Sequence, residues 1–231
     1  SLLVKGDGRM FNAPVSIELK KNGSAPTDAS LTFVLDDAAR AKRGIETGPG
    51  FSGPVSAKVT AQLSDGDRPK ADLPKGETRA TVELDLTRAN IDGFLPGWLK
   101  AAGKSGKATF VATKRADSIQ LDQFQLDAGN ASFRGAVTLD TEGGFESAKF
   151  SSFRLSTADE LKLDVQKDGN LFKLSGSAAS IDARPYITDL LAHSRAKAAN
   201  GQDFDLELKA NNIIGFNKER VEGVDVKLKR R

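Results

Sequence analysis

Apolar residues recur at every second position through most of the chain, the pattern of strands with one buried face. Val15, Ile17 and Leu19 alternate with Ser16, Glu18 and Lys20. Val55, Ala57, Val59, Ala61 and Leu63 alternate with Ser56, Lys58, Thr60 and Gln62. The pattern returns at Val82, Leu84 and Leu86, and at Phe133, Val137 and Leu139. It returns again at Leu161, Leu163 and Val165, at Phe172 and Leu174, at Phe204, Leu206 and Leu208, and at Val224, Val226 and Leu228. Short turn signals separate these runs: Asn22-Gly23, Asp65-Gly66-Asp67, Glu142-Gly143-Gly144 and Asp168-Gly169-Asn170. Loops this short join antiparallel neighbours, so a mainly β meander is expected. Ile119 and Leu121 give way to Phe124 and Leu126, a change of parity that predicts a bulge or bend.

Helical signals are few. Asp36-Asp37 ahead of Ala38-Ala39-Arg40, with Gly44 beyond, predicts a short helix. Asp92 is expected to cap an irregular turn through Phe94, Leu95, Pro96, Trp98 and Leu99, ending at Gly103. The best helix follows Asp182, with Pro185 in its first turn, Ile187, Leu190 and Leu191 as one stripe, and Gly201 past its end. Ala89-Asn90-Ile91-Asp92-Gly93 echoes Ala179-Ser180-Ile181-Asp182-Ala183. The echo predicts a repeated strand-cap-helix unit, with Asp92 and Asp182 as caps and repeat units at about 1–103 and 104–201.

Composition narrows the class. In 231 residues, 34 Lys and Arg face 31 Asp and Glu, 39% are hydrophobic and none is cysteine. That excludes a disordered tail, a disulfide framework and a cysteine-based zinc site. The basic clusters are short (Arg40, Lys42 and Arg43; Lys114 and Arg115; Lys227, Lys229, Arg230 and Arg231), and neither Tyr186 nor Trp98 lies in a basic stretch. No nucleic-acid partner is expected. Ser1 leads at once into a strand-like pattern and Arg231 closes one, so both ends are expected to continue in a longer protein.

Candidate chemistry is thin. Gly48-Pro49-Gly50-Phe51-Ser52-Gly53 spells GxGxxG, but Pro54 and a strand follow where a dinucleotide site needs a helix. His193 is the sole histidine and neighbours Ser194, so a triad or metal site lacks partners; a solvated helix-end residue is expected. Asp65 and Asp67 lack the further ligands of a calcium loop. Asn130-Ala131-Ser132 is a formal glycosylation sequon of a very common kind. No catalytic residue, metal or cofactor is expected. The informative feature is the apolar face, which two or three short helices cannot cover. A second part of the sheet, another protein or an apolar ligand must do so. Alternation by itself favours an ordinary sandwich or barrel core.

A longer stretch changes that weighting. Ile119-Gln120-Leu121-Asp122-Gln123-Phe124-Gln125-Leu126-Asp127-Ala128-Gly129 is followed by Phe133-Arg134-Gly135-Ala136-Val137-Thr138-Leu139-Asp140. Then come Gly144-Phe145-Glu146-Ser147-Ala148-Lys149-Phe150, Leu174-Ser175-Gly176 and Ser180-Ile181-Asp182-Ala183-Arg184-Pro185. This order resembles the AsmA-like superfamily, chiefly its YhdP-type branch and more distantly TamB. The tail from Phe204 to Ala210 and from Gly223 to Val226 is similar to that branch as well.

The resemblance implies a curved, twisted antiparallel sheet forming a partly open hydrophobic groove, and residues 1–231 as one segment of a longer envelope protein. It implies a periplasmic location in a Gram-negative cell, with an inner-membrane anchor outside this segment and the rest of the parent chain as a partner. The expected cargo is phospholipid or other acyl chains moving between inner and outer membrane. Phe133, Val137, Leu139, Leu161, Leu163, Val165 and Leu174 are then the expected groove lining. The alternative is a structural or interaction module, such as a scaffold for outer-membrane assembly, that pairs through edge strands near Val4 and Leu228.

Overall fold

The structure, a computed structural model, describes residues 1–10, 13–42, 50–63, 78–93, 95, 97–193 and 203–230. The Asp65-Gly66-Asp67 turn lies outside them, as do Arg43, Gly44, Gly48, Pro49, Phe94, Pro96, Ser194, Gly201, Arg231 and the side chains of Leu190, Leu191 and His193.

The first strands are β1 (Leu2–Met10), β2 (Ala13–Lys21) and β3 (Thr27–Leu35), followed by helix α1 (Asp37–Ala41). Next come β4 (Phe51–Ser52), β5 (Val55–Leu63), β6 (Thr78–Asp85), β7 (Asn90–Asp92) and β8 (Leu99–Lys100). The long meander is β9 (Gly106–Lys114), β10 (Ile119–Ala128), β11 (Ala131–Leu139), β12 (Phe145–Arg154), β13 (Glu160–Asp168) and β14 (Leu171–Asp182). Helix α2 (Arg184–His193), β15 (Asp203–Ile214), a 3-10 turn (Phe216–Lys218) and β16 (Arg220–Arg230) complete the described chain.

Thirteen strands form one curved sheet that does not close, and β1 and β16 are its edges. Strands β4, β7 and β8 form a second, three-stranded sheet. The mainly β, open, curved architecture is therefore as expected, with two short α-helices. The boundary expected near residue 103 does not interrupt the large sheet, because β6 pairs directly with β9.

The Asn22-Gly23, Glu142-Gly143-Gly144 and Asp168-Gly169-Asn170 turns each join antiparallel neighbours, as their length requires. The parity change in β10 is a β-bulge: the register shifts between Leu121 and Phe124, and Gln123 takes φ +52°. One expectation fails in part. The sheet is mixed rather than wholly antiparallel, because β14 and β15 pair in parallel. Two parallel neighbours need a long connection, and the segment carrying α2 supplies it.

The excursions gather at one end of the strands. Helix α1 follows β3, the small sheet is reached from β3 and β6, and α2 follows β14; each leaves the same rim, hereafter the helix rim. The hairpin turns at 22–26, 115–118, 140–144 and 168–170 form the opposite turn rim.

Among the described residues, no helical turn follows Asp92. Asp92 ends β7 and pairs with Leu99 of β8. Gly93 and Gly97 take φ +76° and +74°, which a helix cannot contain. A Cβ on Gly97 would also overlap the Pro185 ring. Asp182 does serve α2: its carboxylate accepts the Arg184 backbone N–H at 3.1 Å and the Arg184 Nε–H at 2.8 Å. The two echoed segments thus share a buried isoleucine, Ile91 and Ile181, but not a cap.

Candidate functional site

The pleat sorts the large sheet into two faces, since directly opposed residues share a side. Following the strand register from β1 to β16, one row reads Gly8, Val15, Phe33, Ala57, Leu84, Ala108, Leu126, Phe133, Phe153, Leu161, Ala178, Ala210 and Val224. A second row starts at Gly6, Ile17, Leu31, Val59, Val82 and Phe110. It crosses the bulge by a stack of Phe110 on Phe124 with centroids 6.0 Å apart. It continues through Gly135, Phe150, Leu163, Gly176, Leu208 and Val226. A third row, nearer the turn rim, runs from Ala80 through Ala112, Leu121, Val137, Ala148, Val165, Leu174 and Leu206 to Leu228. No charged residue interrupts any of these rows. At about 4.8 Å per strand the face extends about 57 Å from edge to edge.

Cover is graded across this face. The row nearest the helix rim is buried along most of its length, from Val15 to Ala210. The third row is mostly half-buried, and Leu228 at its end is exposed. The difference comes from what packs at the helix rim. Trp98 sits edge-on to Phe133 with centroids 5.4 Å apart, and its indole N–H donates to the Ala128 carbonyl at 2.8 Å. Asn130 holds the loop around it: its amide donates to Gly97 and Leu155 carbonyls, and its oxygen accepts the Leu99 N–H. Ile91, Ala89, Leu155 and Tyr186 complete this layer.

Polar groups in the layer are satisfied locally. The Lys100 ammonium is buried and donates to the carbonyls of Ala89, Thr87 and Ala101 at 2.7, 3.1 and 3.3 Å. Burial lowers its pKa from the ordinary lysine value, and Asp85 opposes the shift. Asp159 accepts three backbone N–H groups, from Leu155, Ser156 and Asp182, each at 2.8 Å. Tyr186 is pushed up in pKa by burial, then by Asp159 and Asp182.

Asp182 is held below the usual carboxylate range, chiefly by its hydrogen bond from Arg184. A carboxylate with a depressed folded-state pKa stabilises the fold above its ordinary value of 3.8, and that contribution is lost as pH falls through the folded value. Asp182→Asn is therefore expected to be less stable than the parent at pH 6 and to lose less on acidification. Urea midpoints between pH 6 and pH 2 measure this; parallel curves for the two proteins would count against it.

The seven expected lining residues share the one face. Phe133, Leu161 and Leu163 are packed in the buried core rather than open, because the helix-rim layer and Phe150 and Phe153 cover them. Val137, Leu139, Val165 and Leu174 remain half-buried and accessible. Leu121 and Leu206, which the alternation marks as apolar-face positions, belong with them although they were not among the expected lining residues. Asp92 is exposed and lies apart from this face.

The other face is polar. Cross-strand ion pairs join Lys5 to Glu18 at 3.1 Å, Lys107 to Glu83 at 2.9 Å, and Arg134 to Asp127 at 2.6 Å. A hollow of about 530 Å³ on this side is lined by Lys58, Glu83, Asp85, Lys107 and Asp127, with charges of both signs. The GxGxxG stretch carries no nucleotide geometry where it is described: Phe51 and Ser52 form β4, and Arg40 donates to the Gly53 carbonyl at 2.8 Å. Among the described residues no group of three His, Cys, Asp or Glu side chains is placed to hold a metal.

Fold and site together define a β protein built on one large open sheet, with apolar rows crossing one of its faces. No family model, curated protein or solved structure matches the chain.

Proposed function

We propose that this chain is a segment of a lipid conduit, carrying phospholipid between inner and outer membrane with acyl chains laid along the apolar face. The observation that carries the reading is the third row of apolar residues, continuous from β6 to β16 and left half-buried. An acyl chain needs no hydrogen bond, and each buried methylene contributes about 0.8 kcal/mol. Every strand of the wall is hydrogen-bonded to its neighbours, so a hydrocarbon meets side chains rather than unpaired backbone groups. The periplasmic setting rests on the resemblance to AsmA-like proteins alone. Transfer is passive on this reading: the face lowers the cost of moving chains through water, and direction comes from outside the segment.

Native mass spectrometry of the chain purified from a bacterial host is the direct test. Co-purifying phospholipid is expected; a lipid-free protein that also takes up none from vesicles would end the reading.

A second reading, a structural module, is favoured by the edges. Leu2, Leu3 and Val4 on β1 and Val221 and Leu228 on β16 are exposed. Unpaired edge strands of this kind accept a further strand. Capture of a β-rich protein by lipid-free chain would support it.

A further inference from the structure

The outermost row, at the turn rim, mixes lysines with apolar residues such as Ile119, Leu139 and Phe172, and so differs from the three apolar rows. It holds Lys21 opposite Leu2, Lys114 between Thr78 and Ile119, and Lys167 opposite Phe172. Parity places all three on the apolar face, two residues beyond Leu19, Ala112 and Val165. Among the described residues, Lys114 and Lys167 have no carboxylate within ion-pair distance, although both are exposed. Two of the carboxylates near this rim are engaged elsewhere. Asp168 pairs with Lys173 on the opposite face at 2.7 Å, and Asp140 accepts the N–H groups of Glu142 and Gly144 in its own turn. The acids on or beside the apolar face, Asp159, Asp182 and Glu222, lie at the far, helix rim.

The face is thus apolar in its middle and basic at its open margin. A lysine stem covers apolar surface while its ammonium reaches water, so these side chains extend the wall and place charge at its lip. We infer that Lys114 and Lys167 receive anionic head groups, so that the cargo is an amphiphile with hydrocarbon chains and a net negative phosphate-bearing head. This rests on the conduit reading and specifies its substrate class. From Lys114 to Lys167 is four strand spacings, about 19 Å along the sheet. That exceeds the screening length of about 8 Å at physiological salt, so each lysine acts singly on one head group.

The test offers the full chain an equimolar mixture of phosphatidylglycerol, phosphatidylcholine and diacylglycerol with identical acyl chains, and reads bound lipid by mass spectrometry. Phosphatidylglycerol is expected to be enriched about three- to five-fold over the other two at low salt, the size of exposed ion-pair effects. At 1 M salt, where the screening length is about 3 Å, the enrichment is expected to vanish while total lipid persists. Lys114→Gln with Lys167→Gln should abolish it with total lipid unchanged. Lys162→Gln with Lys209→Gln, which removes the same charge from the other face, should preserve it. Equal loading of the three lipids by the parent, or enrichment that survives in the inner-face double variant, would overturn the inference and leave the conduit reading standing. Equal losses in both double variants would overturn it too, by assigning selection to net charge. Binding of no lipid would remove both.

Discussion

Trp98→Ala is expected to lower the free energy of unfolding by about 3–5 kcal/mol, the range for removing a buried large aromatic side chain. The residue is 5% exposed and fills the junction between the small sheet and the large one. Its loss removes the edge contact with Phe133 and strands the Ala128 carbonyl without its donor. Trp98→Phe keeps part of the volume and forfeits the hydrogen bond, so its expected cost is smaller, about 1–3 kcal/mol. Urea unfolding followed by circular dichroism measures both, since the intrinsic fluorescence probe disappears with the only tryptophan. A change below about 1 kcal/mol in Trp98→Ala would mean that the helix-rim layer does not hold the buried row closed.

The second large effect follows from the proposed conduit reading. Val165→Asp is expected to cut bound phospholipid about ten-fold, and Gln166→Asp to leave it within about two-fold. The two residues are adjacent, and the pleat sends them to opposite faces. Val165 lies between Ala148 and Leu174 in the third apolar row, where a carboxylate sits among apolar cross-strand neighbours and repels hydrocarbon. Gln166 lies between Ser147 and Lys173 on the polar face, where a carboxylate gains a cationic neighbour. Thermal unfolding of each variant separates lost binding from lost fold. Val165→Asn adds a neutral polar group at the same site and is expected to fall between the two. Equal loss in Val165→Asp and Gln166→Asp, with both folded, would move the cargo off this face. Leu163 is a poorer probe than Val165, because it is only 8% exposed and packs beneath Phe150.

Strand faces were legible because alternation is a local property. Val15 to Leu19, Val55 to Leu63 and Leu161 to Val165 each name their own inner side without knowledge of the partner. The bulge at Gln123 was legible for the same reason: an extra residue breaks parity within one strand. Strand direction is not local. β14 and β15 alternate like antiparallel strands, and only the connection through α2 makes the pair parallel. The segment after Asp92 misled because Leu95, Trp98 and Leu99 have helical spacing, while Gly93 and Gly97 require left-handed backbone. Burial of Lys100 had no sequence signal, since its three partners are backbone carbonyls, of Thr87, Ala89 and Ala101, which no side-chain pattern marks. The lysine row did leave a trace. Lys20-Lys21, Lys114-Arg115 and Lys167-Asp168 are adjacent charged pairs at strand ends, and one member of each pair has to face inward.

The unclosed edges give the sheet a property that barrels lack. In a closed barrel the strand number fixes the diameter, so adding strands widens the lumen. Here each strand adds about 4.8 Å along the rows and leaves the cross-section alone. Length and bore are decoupled: a hairpin spliced into any turn lengthens the path by about 10 Å without altering what fits across it. On the proposed conduit reading, strand count becomes a ruler, set by the gap to be spanned rather than by the size of the cargo.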